Sequence, residues 1–169
     1  MRSLHAASAI ALAAGLFALA GAANAAPAPA VEHFGAPGPG IASAVYVPAG
    51  AEMMYVSGMT PPATSAAGVT PAVYGDTETQ TIGVLKRIED ALKLKGFTMA
   101  DVVMLRVLLV ADPAKNNQMD FAGMNKGYAT FFGTATQPNK PARITSQITQ
   151  LVNPAFLVEI EAQAAKMPK

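Results

Sequence analysis

Cysteine is absent from this 169-residue chain, so neither a disulfide framework nor thiolate chemistry is open to it. Histidine is scarce as well. His5 lies in an apolar N-terminal stretch and His33 in a Pro/Gly-rich run, where it reads as a solvated tail residue. No histidine pair is therefore left for a transition-metal site or a Ser-His-Asp triad, and no metal is expected. Charge is sparse and balanced: 12 Lys and Arg stand against 11 Asp and Glu, a formal net charge of +1. Without a basic field nothing holds nucleic acid or anionic lipid nonspecifically.

What is present begins with an export pattern. Arg2 supplies a positive start, the run from Ala6 to Ala22 is apolar and free of charge, and Ala23-Asn24-Ala25 forms an A-x-A cleavage site. A membrane anchor needs about 20 strongly apolar residues. This stretch is mostly Ala and Gly and runs into Pro27 and Pro29, so residues 1–25 read as a signal peptide cleaved after Ala25. The mature protein is then periplasmic or secreted and free of the membrane. Losing Arg2 brings its formal charge to zero.

Residues 26–40 hold Pro27, Pro29, Pro37 and Pro39 among Gly and Ala, a composition that favours an extended leader, with ordered structure starting near Ile41. Residues 41–169 read as a single domain. Ala44 to Val47 and Met53 to Ser57 suggest two strands that pair as a hairpin. Thr77 and Gln80 fit a capping box, followed by Ile82, Leu85, Ile88 and Leu92 at helical spacing until Gly96 ends the pattern. Val102 to Val110 is nearly all apolar, as in a central strand covered on both faces. A second helix is predicted from about Asn117, with Phe121, Met124, Tyr128 and Phe131 on one core face and Gly133 closing it. Two alternating strands follow, Arg143 to Ile148 and Phe156 to Gln163. The order is that of an α+β domain.

Period-two alternation puts Arg143, Thr145 and Gln147 on one face of the first of these strands. In the second, Phe156, Val158, Ile160 and Ala162 oppose Leu157, Glu159, Glu161 and Gln163. One arginine and two carboxylates are thus expected to line one surface. On its own this is a solvated sheet face with an incidental ion pair, worth about 0.2–1 kcal/mol. A carboxylate ligand is the alternative, because the planar guanidinium binds both of its oxygens at once.

Five segments carry a family likeness. They are Tyr55-Val56-Ser57-Gly58; Glu78 to Gly96 with Asp101-Val102-Val103; Asp120 to Tyr128 through Phe131-Phe132; Pro141-Ala142-Arg143; and Val158-Glu159-Ile160-Glu161-Ala162. In this order the chain resembles the Rid family, the reactive intermediate deaminases, over roughly Val45 to Ala165. The resemblance implies a chorismate-mutase-like fold, with two helices packed on one face of a mixed sheet, and a homotrimer with sites in the clefts between subunits. It implies cofactor-free hydrolysis of enamine and imine intermediates such as 2-aminoacrylate and 2-iminopropionate to the 2-keto acid and ammonia. Carried over by motif, Arg143 clamps the substrate carboxylate and Glu159 positions and activates water. Ser57, Asn125 and the backbone at Thr145 line the substrate cleft.

The chain departs from the family pattern in several places. No aromatic occurs from Gly38 to Val45, where the family commonly has a Tyr, which implies a wider or less polar pocket. Thr145 stands for a frequent Cys, Arg87 for Asn and Met59 for Gln, and one extra residue lies between Arg143 and Glu159. The competing functions are a noncatalytic trimer that binds small carboxylates or unfolded clients and, with little support in so neutral a chain, an endoribonuclease.

The export reading is checked by N-terminal sequencing of protein recovered from the cell envelope. It should begin at Ala26, and soluble mature material beginning at Met1 would refute cleavage.

Overall fold

The computed structural model describes residues 28–38 and 40–168. The signal segment and its cleavage site lie outside these residues. Eight regular elements follow in order: β1 (Glu32–Phe34), β2 (Ala44–Tyr46), β3 (Glu52–Met59), α1 (Thr77–Lys93), β4 (Val102–Val110), α2 (Phe121–Ala129), β5 (Ala142–Ile148) and β6 (Val158–Lys166). β3, β6, β4 and β5 form a four-stranded sheet in that spatial order, and β1 pairs with β2 in a separate ribbon.

Topology follows from strand direction. β6 runs antiparallel to both β3 and β4, and β4 is parallel to β5. β3 and β4 therefore run the same way with α1 as their crossover, and α2 connects the parallel pair β4 and β5. The last strand fills the gap between β3 and β4. Both helices pack on the same sheet face, over Leu105, Val107 and Leu109 of β4 and Val158, Ile160 and Ala162 of β6. Fold class and helix placement match the sequence reading.

Helix α1 buries Val84, Leu85, Ile88 and Leu92, close to the predicted stripe. Its N-cap is Asp76, whose Oδ1 accepts from the Thr79 N–H at 2.9 Å, so the capping box predicted at Thr77 and Gln80 is not formed. Gln80 is buried and does something else. Its Nε2 donates to the Gly75 and Ala155 carbonyls, both at 3.0 Å, and its Oε1 accepts from the Leu157 N–H at 2.7 Å. One side chain thus fastens the start of α1 to the chain entering β6. At the other end Gly96, at φ +66°, donates to the Lys93 carbonyl, and the Phe97 N–H reaches the Leu92 carbonyl, the paired bonds of a Schellman stop.

Six expectations need correction. β2 and β3 do not form a hairpin: β2 pairs with β1 and β3 with β6. Order begins well before Ile41, because Glu32–Phe34 finds a partner strand in Ala44–Tyr46. His33 is accordingly no solvated tail residue, and its Nδ1 lies 2.7 Å from the Lys140 carbonyl oxygen. β4 is covered by helices on one face only, its Arg106 side being open. α2 starts at its N-cap Asp120 instead of near Asn117, since Asn116 and Asn117 both take left-handed backbone angles. The stripe predicted on α2 also splits: Met124 and Tyr128 are buried, Phe121 is exposed, and Phe132 takes the core position assigned to Phe131.

Gln80→Leu should keep the volume of this side chain but strand two carbonyls and one N–H. Each of these three part-buried hydrogen bonds contributes about 0.5–1.5 kcal/mol net, so the fold should lose about 2–4 kcal/mol in urea denaturation. An unchanged midpoint would mean that the three backbone groups find other partners.

Candidate active site

Register decides where each predicted site residue points. Arg143 lies opposite Leu105, and Thr145 opposite Val107, so both share the helix-covered face. Glu159 lies opposite Leu108 and Glu161 opposite Arg106, on the open face. The single surface expected to carry the arginine and both carboxylates therefore does not exist within one chain. The alternation within each strand holds, but β5 and β6 are not neighbours, and the phase between them is set by β4.

On the helix side, Arg143 is half-buried where β5 passes beneath α2. Its Nη2 donates to Asn125 Oδ1 at 2.8 Å, and its Nη1 lies 3.7 Å from the Met124 sulfur. Its guanidinium carbon sits 4.5 Å from the ring centre of Tyr128 and 5.8 Å from that of Phe121, within cation–π range. No carboxylate pairs with Arg143 among the described residues. Phe121, Asn125 and Tyr128 recur at helical spacing and form the wall that α2 presents to this strand. Gly40 and Ile41 close the other side of a cleft of about 440 Å³. The predicted pair Arg143 and Asn125 is thus brought together, whereas Tyr128, Phe121 and Ile41 are additions. The helical spacing of the sequence assigns Tyr128 and Phe121 to plain core, whereas here both face Arg143.

On the open face, Glu159 lies against β3, where a bulge between Val56 and Met59 breaks the register. A Cβ at Gly58 would collide with the Glu159 carboxylate, so only glycine lets that side chain lie there. Ser57, next to Gly58, borders a depression of about 250 Å³ with Tyr55, Arg106 and Glu161. Glu161 is paired with Arg106 at 3.3 Å. Ser57 and Glu159 thus form a second group of predicted residues, on the opposite side of the sheet from Arg143. Thr145 Oγ1 is buried without a hydrogen-bond partner in the described structure. β5 is an edge strand, so one side of its backbone is unpaired within the sheet.

Comparison with known proteins identifies the scaffold. The profile of the family described as Endoribonuclease L-PSP matches residues 40–166. This chain belongs to that family. A RutC family protein of Pyrococcus horikoshii is 37% identical over 94 residues, 56% of this chain and 66% of the relative. A RutC family protein of Sulfurisphaera tokodaii is 35% identical over 115 residues, 67% of this chain and 79% of the relative. A Rid-family protein structure from Yersinia pestis superposes with a TM-score of 0.57 at 29% identity, covering 74% of this chain and 86% of that one. A YjgF/YER057c/UK114 family structure from Mycobacterium tuberculosis gives 0.50 at 30% identity, covering 73% and 84%.

In this L-PSP family member the arginine cleft has its own electrostatics. Burial pulls the Arg143 guanidinium below its ordinary value, with Tyr128 acting in the opposite sense. Burial also pushes the Tyr128 phenol up to about 12, while the charge of Arg143 acts to lower it. The Tyr128 hydroxyl is buried and has no partner in the described structure, so its ring face, not its oxygen, serves Arg143.

The sign of the pH dependence follows. Between pH 10 and about 12 the unfolded chain loses the Tyr128 proton while the folded chain keeps it, so stability falls as pH rises through this window. The contribution is complete below pH 10. Urea midpoints at pH 9, 10 and 11 should fall more steeply in the parent than in Tyr128→Phe, and equal slopes would place the phenol in water.

Proposed function

We propose that this chain hydrolyses reactive enamine and imine intermediates of amino acids, of the 2-aminoacrylate and 2-iminopropionate type, to 2-keto acids and ammonia. The observation that carries the reading is the half-buried Arg143, held by Asn125 and Tyr128 and facing a cleft, with no carboxylate of its own among the described residues. A cation taken partly out of water favours an anionic ligand, and the guanidinium fork suits a carboxylate. The chemistry needs little more than orientation. An enamine is first protonated at C3 to give the imine. Water then adds to C2 as one of its protons passes to nitrogen, and transfer of the remaining hydroxyl proton to nitrogen breaks the C–N bond, releasing ammonia and leaving the keto oxygen. Glu159 is the base that orients and deprotonates this water.

Arg143 and Glu159 occupy opposite faces of one sheet, so a working site needs two copies of the chain. We assign the assembly as a homotrimer in which the open sheet face of one subunit meets its neighbours. That face has no helix of its own to cover it, and it exposes Tyr55 at 71% and Ile144 at 50%. The cleft between subunits would then join Arg143, Asn125 and the Thr145 backbone of one chain to Ser57 and Glu159 of the next. The separation of the two faces also favours a second reading, a trimeric carboxylate binder without turnover, in which Glu159 never reaches the ligand. Export through the cleaved signal remains part of the proposal and requires a source of imines outside the cytoplasm.

A coupled assay separates these readings. An L-amino-acid oxidase generates imines from a panel of amino acids, and release of ammonia and keto acid is followed as the mature protein is added. Arg143→Ala should abolish acceleration. Glu159→Gln should lower turnover by about 10²–10⁴-fold while keto acids still bind. Glu161→Gln removes an exposed ion pair with Arg106 and should leave turnover within severalfold. Equal losses in the two glutamate variants with assembly intact would misplace the base. Keto acid binding without turnover in the parent would favour the binder, and a monomeric mass at micromolar concentration would remove the composite site.

A further inference from the structure

The arginine cleft is larger and more apolar than a three-carbon acid needs. Besides Arg143 and Asn125 its walls include Ile41, Phe121, Tyr128 and Ala129, around about 440 Å³. Ile41 and Phe121 are 40% and 44% exposed, although both belong to anchored segments. Phe121 opens α2 directly after its N-cap Asp120, whose Oδ1 accepts from the Gly123 N–H at 2.9 Å. Ile41 sits on a stretch tied down at both ends. The Lys140 ammonium donates to the carbonyls of Ala36 at 2.6 Å and Gly38 at 2.9 Å, and the Ala42 N–H donates to the Pro141 carbonyl at 3.0 Å. The chain that leads into Arg143 therefore also holds Ile41 beside it.

We propose that Ile41 and Phe121 form a preformed apolar subsite that selects 2-imino and 2-oxo acids with branched or longer apolar side chains over the three-carbon acid. The inference rests on Arg143 as the carboxylate clamp and adds the identity of the group beyond C2. In such acids the side chain starts two bonds from the carboxylate carbon. A carboxylate on Arg143 thus leaves C3 and the atoms after it next to the surfaces of Phe121 and Ile41, where burial removes apolar area from water on both partners. Gly40 adds to the room, since a Cβ there would meet nothing within 4 Å. Discrimination by such a wall is graded by chain length, because a hydrophobic pocket distinguishes substrates one methylene at a time.

The test is calorimetric titration of the mature protein with pyruvate, 2-oxobutanoate and 4-methyl-2-oxopentanoate. With each added carbon half buried, affinity should rise about twofold per carbon, so that the branched acid binds about tenfold tighter than pyruvate. Ile41→Ser and Phe121→Ser should each compress that ratio to about threefold or less. Both side chains are substantially exposed, so the variants should fold, which circular dichroism and the assembly mass check. A flat series in the parent, with Arg143→Ala abolishing all binding, would overturn the subsite and leave the clamp standing. Undiminished binding of the whole series in Arg143→Ala would instead overturn the clamp. Absence of binding in the parent would overturn both. Dissociation of the assembly in Ile41→Ser or Phe121→Ser would show that these side chains are covered by a neighbouring copy, and would overturn the subsite.

Discussion

The position of β6 between β3 and β4 is the constraint on which the other features depend. Its alternation places Val158, Ile160 and Ala162 under the helices, and those three side chains cannot leave the core without exposing the apolar faces of α1 and α2. Glu159 and Glu161 are then committed to the opposite face. Slipping the strand by one residue would bury both carboxylates and expose the three apolar residues, which the hydrophobic pattern forbids. Gln80 strengthens the same placement, because its amide ties the chain just ahead of β6 to the start of α1.

From that placement follows the division of the candidate site. β5 joins the sheet beyond β4, parallel to it, and its register with Leu105 turns Arg143 toward α2. The guanidinium is held there by an amide, two aromatic faces and a thioether, none of which carries negative charge. This arrangement keeps the cation oriented while leaving its charge uncompensated within the chain. The carboxylate side has the reverse character. Glu159 lies over a glycine at a bulge, close to Ser57, on a face that also displays unpaired apolar residues. On the proposed reading neither half holds both the carboxylate anchor and the base, and the incomplete halves and the uncovered sheet face fit the proposed assembly of several copies of the chain.

The segment before β2 changes character in this light. Its prolines and glycines suit a chain without regular structure, yet it forms a short strand and takes hydrogen bonds from Lys140 before passing the mouth of the arginine cleft. The absence of an aromatic between Gly38 and Val45 then has a structural consequence: Gly40 and Ile41 border the cleft where a bulky polar group would narrow it.

Much of this was legible in the residues alone. Local periodicity determined α1 and its stop at Gly96, the apolar run of β4, and the inward and outward faces of β6, because each depends only on spacing within one element. Motif order along the chain is sufficient for the family, and it singles out both Arg143 and Asn125, which the fold brings to a 2.8 Å contact. Tertiary structure decided everything that depends on which elements are neighbours. The sequence order of β2 and β3 suggests a hairpin, but β3 pairs with β6 instead, and its Val56 lies in the core. Alternation within β5 and β6 says nothing of the phase between two strands that do not touch, so only the intervening β4 could place Arg143 and Glu159 on opposite faces. Gln80 and Tyr128 make the same point: a capping pattern and an aromatic stripe are local signals, whereas the partners these side chains found lie 75 and 15 residues away along the chain, at Ala155 and Arg143.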